Sequence, residues 1–204
     1  MSIFNLDFSE LDENCFFEIA NKLLNECYLK VNKKIFRIIE IEFYLKCTNH
    51  DDLYTHCNPD QLLMETFYFH KYKNTYKSGT YKGMDITLGD KKTNCYFGVL
   101  IRSIKRVKTG ETIQGPCNVV NRILLEYGCS SIMEFTNGEN FSITENPRNF
   151  IVVPTHKMEI KSIAIGPRIG LSEKYPELRK KNYRYVTHRE IIIKEKTKLV
   201  DIHN

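Results

Sequence analysis

Residues 40 to 45 read EIEFYL. They put two carboxylates and a phenol, Glu40, Glu42 and Tyr44, on one side of a strand whose other side is Ile39, Ile41, Phe43 and Leu45. A solvated outer face of an antiparallel sheet would account for them, but other residues ask for more. His56 closes an acidic loop, DDLYTH. His70 lies on the polar side of the aromatic strand TFYFHKYK, Asp85 interrupts the apolar MDIT, and Arg102 follows VLI. A buried acid without a partner is costly. An acid that acts on water, flat rings, imidazoles and an arginine together are what an extruded nucleobase needs: rings to stack on it, polar groups to read its edge, and a carboxylate beside the sugar. Each residue alone has a plainer explanation. A histidine on a strand is more often a hydrogen-bonded structural residue, and an arginine after apolar residues is more often half of an ion pair.

These residues need strands to carry them. Residues 9 to 28 have the apolar spacing of a helix, with Phe16, Ile19, Ala20, Leu23, Leu24 and Cys27 on one face and Ser9 followed by Asp12 as its capping residues. Residues 35 to 45 alternate with period two. Residues 66 to 73 and the TYKGMDITLG stretch read as a hairpin around the turn-like NTYKSG, and residues 95 to 107 as a further strand. A short helix spans Cys117 to Glu126, with Pro116 in its first turn and Gly128 just past its end. Two strands are expected between Phe150 and Ile165, and a final strand region at YRYVTHREIIIK. The expectation is an α+β fold, one mixed domain over residues 1 to 204, mostly antiparallel β.

Composition bounds the possibilities. The 204 residues include 42% hydrophobic and 27% charged ones, ordinary for a globular domain, so disordered and low-complexity classes are excluded. Thirty Lys plus Arg against 25 Asp plus Glu leave a charge of +5, which permits a nucleic-acid partner without requiring one. No run approaches the roughly 20 apolar residues of a membrane span, and MSIFNLDFSELDEN lacks the features of a secretory signal. The expected location is a reducing intracellular compartment, nuclear in a eukaryote. The seven cysteines have neither zinc-site spacing nor an even count, so buried free thiols are expected, with no metal and no cofactor.

The order of the elements resembles the alkyladenine (3-methyladenine) DNA glycosylase family from the first helix nearly to the C-terminus. EIEFYL, DDLYTH, TFYFHKY, MDIT, VLIRSI, GPCNVVNRILLEYG, GPRIGL and NYRYVTH follow one another as the corresponding family segments do. The resemblance implies a curved, mostly antiparallel sheet and a monofunctional glycosylase of base excision repair that flips damaged or alkylated purines out of double-stranded DNA. It implies Glu42 as the base that activates the hydrolytic water, with Arg102 near it. It implies Tyr44 and His56 on opposite sides of the extruded base. Two positions depart from the pattern. His70 stands where the family usually has a stacking Tyr, and Asp85 where it usually has an Asn that helps exclude unmodified guanine. No lysine aligns with Glu42, so no Schiff-base lyase step is implied.

A flipped base leaves a gap that a wedge must fill. The tip HKYKNTYKSG carries Tyr72 and Tyr76 among Lys71, Lys73 and Lys77, which fits a wedge with phosphate contacts and equally a lysine-solvated turn. Arg168 in GPRIGL is a further DNA-binding candidate, or else a loop anchor. The basic groups at 91–92, 105–108 and 179–184 read as ordinary solvation. A monomer is expected. Two alternatives stand beside the DNA glycosylase: an N-glycosidic hydrolase acting on another modified base, RNA or a nucleoside, and a non-catalytic nucleic-acid-binding module.

Overall fold

In the computed structural model, which describes residues 2–202, a 3-10 turn at Glu13–Cys15 leads into α1 (Phe16–Asn25), β1 (Cys27–Val31) and the long β2 (Lys34–Cys47). The helix is shorter than its apolar spacing predicts. Ser9 caps nothing, because its N–H and hydroxyl both donate to Asp7. Asp12 is the cap and accepts from the Asn14 N–H. At the other end Cys27 leaves the helix to pair with Pro154 as the first residue of β1. Phe16, Ile19, Ala20, Leu23 and Leu24 are buried, and burial of each large apolar side chain stabilises the fold by about 1.5–3 kcal/mol.

Then come β3 (Met64–Phe69), β4 (Met84–Leu88), β5 (Tyr96–Arg106), α2 (Pro116–Tyr127), β6 (Phe150–Pro154), β7 (Ala164–Gly166) and β8 (Arg184–Val186). β3, β4, β5, β2, β8 and β7 lie side by side in that order, every pair antiparallel. The far edge of β2 is shared, with β1 along Lys34–Arg37 and β8 along Glu40–Glu42. The fold is α+β, as expected. Residues after Val186 do not continue as a strand. His188 adopts φ 55°, and a 3-10 turn follows at Arg189–Ile191.

α1 and α2 cover one face of the sheet. Phe16, Leu23, Val120 and Ile123 meet Ile41, Phe43, Phe97 and Ile101 there in the main apolar core. The two-residue alternation of β2 breaks once. Ile38 pairs with Ile104 and Ile41 with Ile101, but between them Glu40 pairs with Ser103. Ile39 and Arg102 are left without opposite numbers, an irregularity of the bulge type. Ile39 therefore does not share a face with Ile41. It packs with Ala164, Val186, Ile192 and Leu199 in a small second core.

The hairpin of β3 and β4 pairs Tyr68 with Asp85, and its tip folds back on itself. Lys71–Tyr72 pairs with Thr75–Tyr76 around Lys73 and Asn74, both at positive φ (45° and 65°), the geometry of a two-residue type I′ turn. The cysteines are less buried than expected. Cys27 and Cys95 are buried, Cys57 is exposed, and Cys15, Cys47, Cys117 and Cys129 are half-buried.

Candidate functional site

Strand register assembles a polar row on the sheet face opposite the helices. Tyr68 on β3 pairs with Asp85 on β4, Asp85 with Leu100 on β5, Leu100 with Glu42 on β2, and Glu42 with Arg184 on β8. Asp85 and Glu42 are thus two strands apart, about 10 Å at the usual strand spacing. One step along, Gly98 lies between Thr87 and Tyr44. A Cβ at position 98 would come within 2.5 Å of Asp85 Oδ2 and 2.7 Å of Gln61 Nε2. Glycine there gives the two polar groups their room.

Above this region opens a cavity of about 250 Å³, walled by Tyr44, Tyr54, His56, His70 and the 170–172 loop, with Gln61 and Asp85. Asp85 is 2% exposed and is paired: His70 Nε2 donates to Oδ1 at 2.7 Å and Gln61 Nε2 to Oδ2 at 3.2 Å. Gly83 lets His70 pack tightly, since a Cβ at 83 would lie 2.5 Å from Nδ1. His56 sits edge-on to His70, with ring centroids 4.5 Å apart, and Lys77 Nζ donates to its Nε2 at 3.2 Å. His56 is an exposed residue overall. Desolvation against the cavity wall, and then the neighbouring His70, lower its pKa to about 4 against the pull of Asp85. His56 is neutral at pH 7.

Glu42 lies one hydrogen bond behind the cavity wall, fully buried. Its Oε2 accepts from the Tyr44 hydroxyl at 2.9 Å and from Arg102 Nη1 at 3.3 Å, and its Oε1 accepts from the Ile169 N–H at 2.7 Å. Burial, and then the adjacent Glu42, hold the Tyr44 phenol far above its ordinary pKa, so it remains a donor. Arg102 also reaches Glu40 Oε1 at 3.3 Å. Glu40 also accepts from Arg184 Nε at 2.7 Å and from the Ser103 hydroxyl, and with Arg102 it lines a separate cavity of about 340 Å³. The paired irregularity at Ile39 and Arg102 turns Arg102 and Ser103, adjacent in sequence, both to Glu40.

Two expected DNA contacts have partners within the protein. Arg168 is 3% exposed. It forms an ion pair with the buried Asp52, donates to the Phe43 carbonyl at 3.0 Å, and places its guanidinium 4.6 Å from the Tyr44 ring centroid. It is the loop anchor, holding Tyr44 from behind. Tyr76 packs against the main core, with its hydroxyl 3.0 Å from that of Thr136. Tyr72 is 68% exposed at the hairpin tip, with the Lys73 ammonium 5.6 Å from its ring centroid. Lys77 ties this tip to the cavity rim, its N–H donating to the His70 carbonyl at 2.9 Å.

Tyr54, Gln61 and the 170–172 loop were not expected in the site. The Tyr54 hydroxyl donates to the Ser172 carbonyl at 2.5 Å and fastens the loop over the cavity. Gln61 had a local signal. Asn58 and Gln61 form a capping box around Pro59, and Asn58 N donates to Gln61 Oε1 at 3.2 Å. Arg184, read as part of a surface basic group, is fully buried against Glu40.

No family model matches this sequence. Over 209 residues it is 50% identical to the uncharacterized protein L759 of Acanthamoeba polyphaga mimivirus, covering 97% of each chain. The chain belongs to the family of that viral protein. No helix among the described residues is long and apolar enough to cross a membrane.

Proposed function

We propose that the chain is a monofunctional DNA glycosylase that hydrolyses the N-glycosidic bond of a damaged or alkylated purine flipped out of duplex DNA. The observation that carries this reading is the coupling of an acid to a base-sized cavity: Tyr44 lines the cavity and donates to the buried Glu42 behind it. The ordered resemblance to the alkyladenine glycosylases supports it. The extruded base occupies the cavity between Tyr44 and the two imidazoles. The C1′–N bond breaks and its electron pair leaves with the base. An alkylated purine departs neutral because it began as a cation. Water attacks C1′, and Glu42 takes its proton and stabilises the positive charge that develops on the sugar. His56 is neutral at pH 7, so it orients and stacks without protonating the leaving group.

Glu42 Oε1 keeps a free acceptor direction but the residue is fully buried, so water reaches it only if the loop at Ile169 shifts. That residue lies next to Gly170, which lines the cavity and has φ 77°. Entry of the base and admission of water are coupled through this loop. Tyr72, beside the cavity rim, fills the gap left by the base while lysines meet the phosphates.

The test uses duplexes carrying hypoxanthine, ethenoadenine, 3-methyladenine or 7-methylguanine, followed by alkali to cut abasic sites. Breaks that depend on the wild-type protein and disappear in Glu42→Gln support the reading. The full burial of Glu42 favours a second one, a module that binds an extruded base without chemistry. Salt-sensitive binding with no base release would identify it.

A further inference from the structure

Several side chains of the cavity wall already have hydrogen-bond partners. The Tyr44 hydroxyl is committed to Glu42, and the Tyr54 hydroxyl donates to Ser172 and accepts from the Tyr175 N–H. Gln61 spends its oxygen on Asn58 and an amide N–H on Asp85, while His56 Nε2 faces the Lys77 ammonium. Asp85 is different. A carboxylate offers about four acceptor directions, and the protein supplies two donors, one to each oxygen. Acceptor capacity is therefore left on an acid that is 2% exposed and part of the cavity lining. A ligand that brings N–H donors can use that capacity.

We propose that the cavity selects a 2-amino-6-oxopurine, a base of the guanine type, by pairing its adjacent N1–H and 2-amino donors with the Asp85 carboxylate. This rests on the glycosylase reading and specifies its substrate. An adenine edge presents one amino donor beside a ring-nitrogen acceptor, which would face the carboxylate lone pairs. A hypoxanthine edge presents N1–H alone. Two parallel N–H donors against two carboxylate oxygens is the strong, directional arrangement. His70 and Gln61 hold the carboxylate in place, and Gly98 leaves room for it. Undamaged guanine survives because nothing in the cavity protonates it. A 7-alkylguanine already carries the positive charge that lets it leave with the bonding electron pair.

The deciding experiment changes the substrate and not the protein. Single-turnover release of 7-methylguanine is compared with release of 7-methylhypoxanthine, which lacks only the 2-amino group, each relative to its uncatalysed loss. We expect removal of the amino group to lower the enzymatic acceleration at least tenfold. We expect Asp85→Asn to cut that ratio by a similar factor. Equal acceleration of the two bases, or a preference for 3-methyladenine over 7-methylguanine, overturns the inference and leaves the glycosylase reading intact. Release of no base from any duplex overturns both.

Discussion

Glu40 and Glu42 lie two residues apart on one strand and face, yet their surroundings differ. Glu40 is enclosed by two guanidinium groups and a serine hydroxyl. Glu42 has one guanidinium, a backbone N–H from a loop, and a phenol that also walls a cavity. Every partner of Glu40 belongs to a strand of the sheet, and Glu40 and Arg102 line a separate cavity of about 340 Å³ away from the imidazoles. Glu42 has partners that a ligand beside the imidazoles can reach. A buried acid thus becomes a candidate for chemistry through the mobility and exposure of what holds it. Burial and charge alone do not separate the two.

The comparison can be broken experimentally. The largest expected effect is on turnover: Glu42→Gln should reduce base release by about 10²–10⁴-fold, the usual contribution of a general base, with a smaller loss of stability than Glu40→Gln, because only Arg102 loses an acid and it keeps Glu40. Glu40→Gln should do the reverse. It leaves two buried arginines facing a neutral amide, and denaturant titration should show a loss of about 3–5 kcal/mol. If the two variants behave alike, the division of roles is wrong.

Gly98→Ala should be intermediate. The added methyl meets Asp85 and Gln61, and such overpacking costs about 1–3 kcal/mol; base release should fall with it. The smallest effect is on pH dependence. Burial lowers the pKa of both His56 and His188 to about 4, below the 6.5 of an unfolded histidine. The unfolded chain therefore takes up more protons between those values. The stability they contribute is fully present above pH 6.5 and is lost as pH falls toward 4. Chemical denaturation at pH 7 and pH 5 should show the difference, and His188→Asn should diminish it. His56→Asn should diminish it less, because that residue is exposed and water screens its cost.

Much of this was legible in the sequence. Period-two alternation located β2 and β3, the turn NTYKSG gave β4 as the hairpin partner, and a nearly continuous apolar run gave β5; Glu40, Glu42, Tyr44, Asp85 and Arg102 fell on these strands, while His70, expected within the strand 66–73, lies just past the end of β3. The failures were tertiary. Nothing local marks the irregularity at Ile39, so simple alternation put that residue on the wrong face. Arg184 looked like one more surface cation, because its partner Glu40 is 144 residues away. Arg168 sat in a glycine-bearing loop that suits phosphate approach, but the acid that claims it, Asp52, is 116 residues away in sequence. Tyr72 and Tyr76 have the same local sequence character, and only their packing tells the exposed ring from the anchored one.

The unpaired residues Ile39 and Arg102 also bear on how the chain can change. Beyond them on either side, β2 and β5 return to the same alignment, so that Phe36 still meets Arg106 and Tyr44 still meets Gly98. Each offset cancels the other. A residue lost elsewhere in β2 would slide its pairing by one place, and the unpaired Ile39 can take up that slip and leave Glu42 on its face. Arg102 offers β5 the same slack, so the two strands carry their tolerance to changes in length at one point along their pairing.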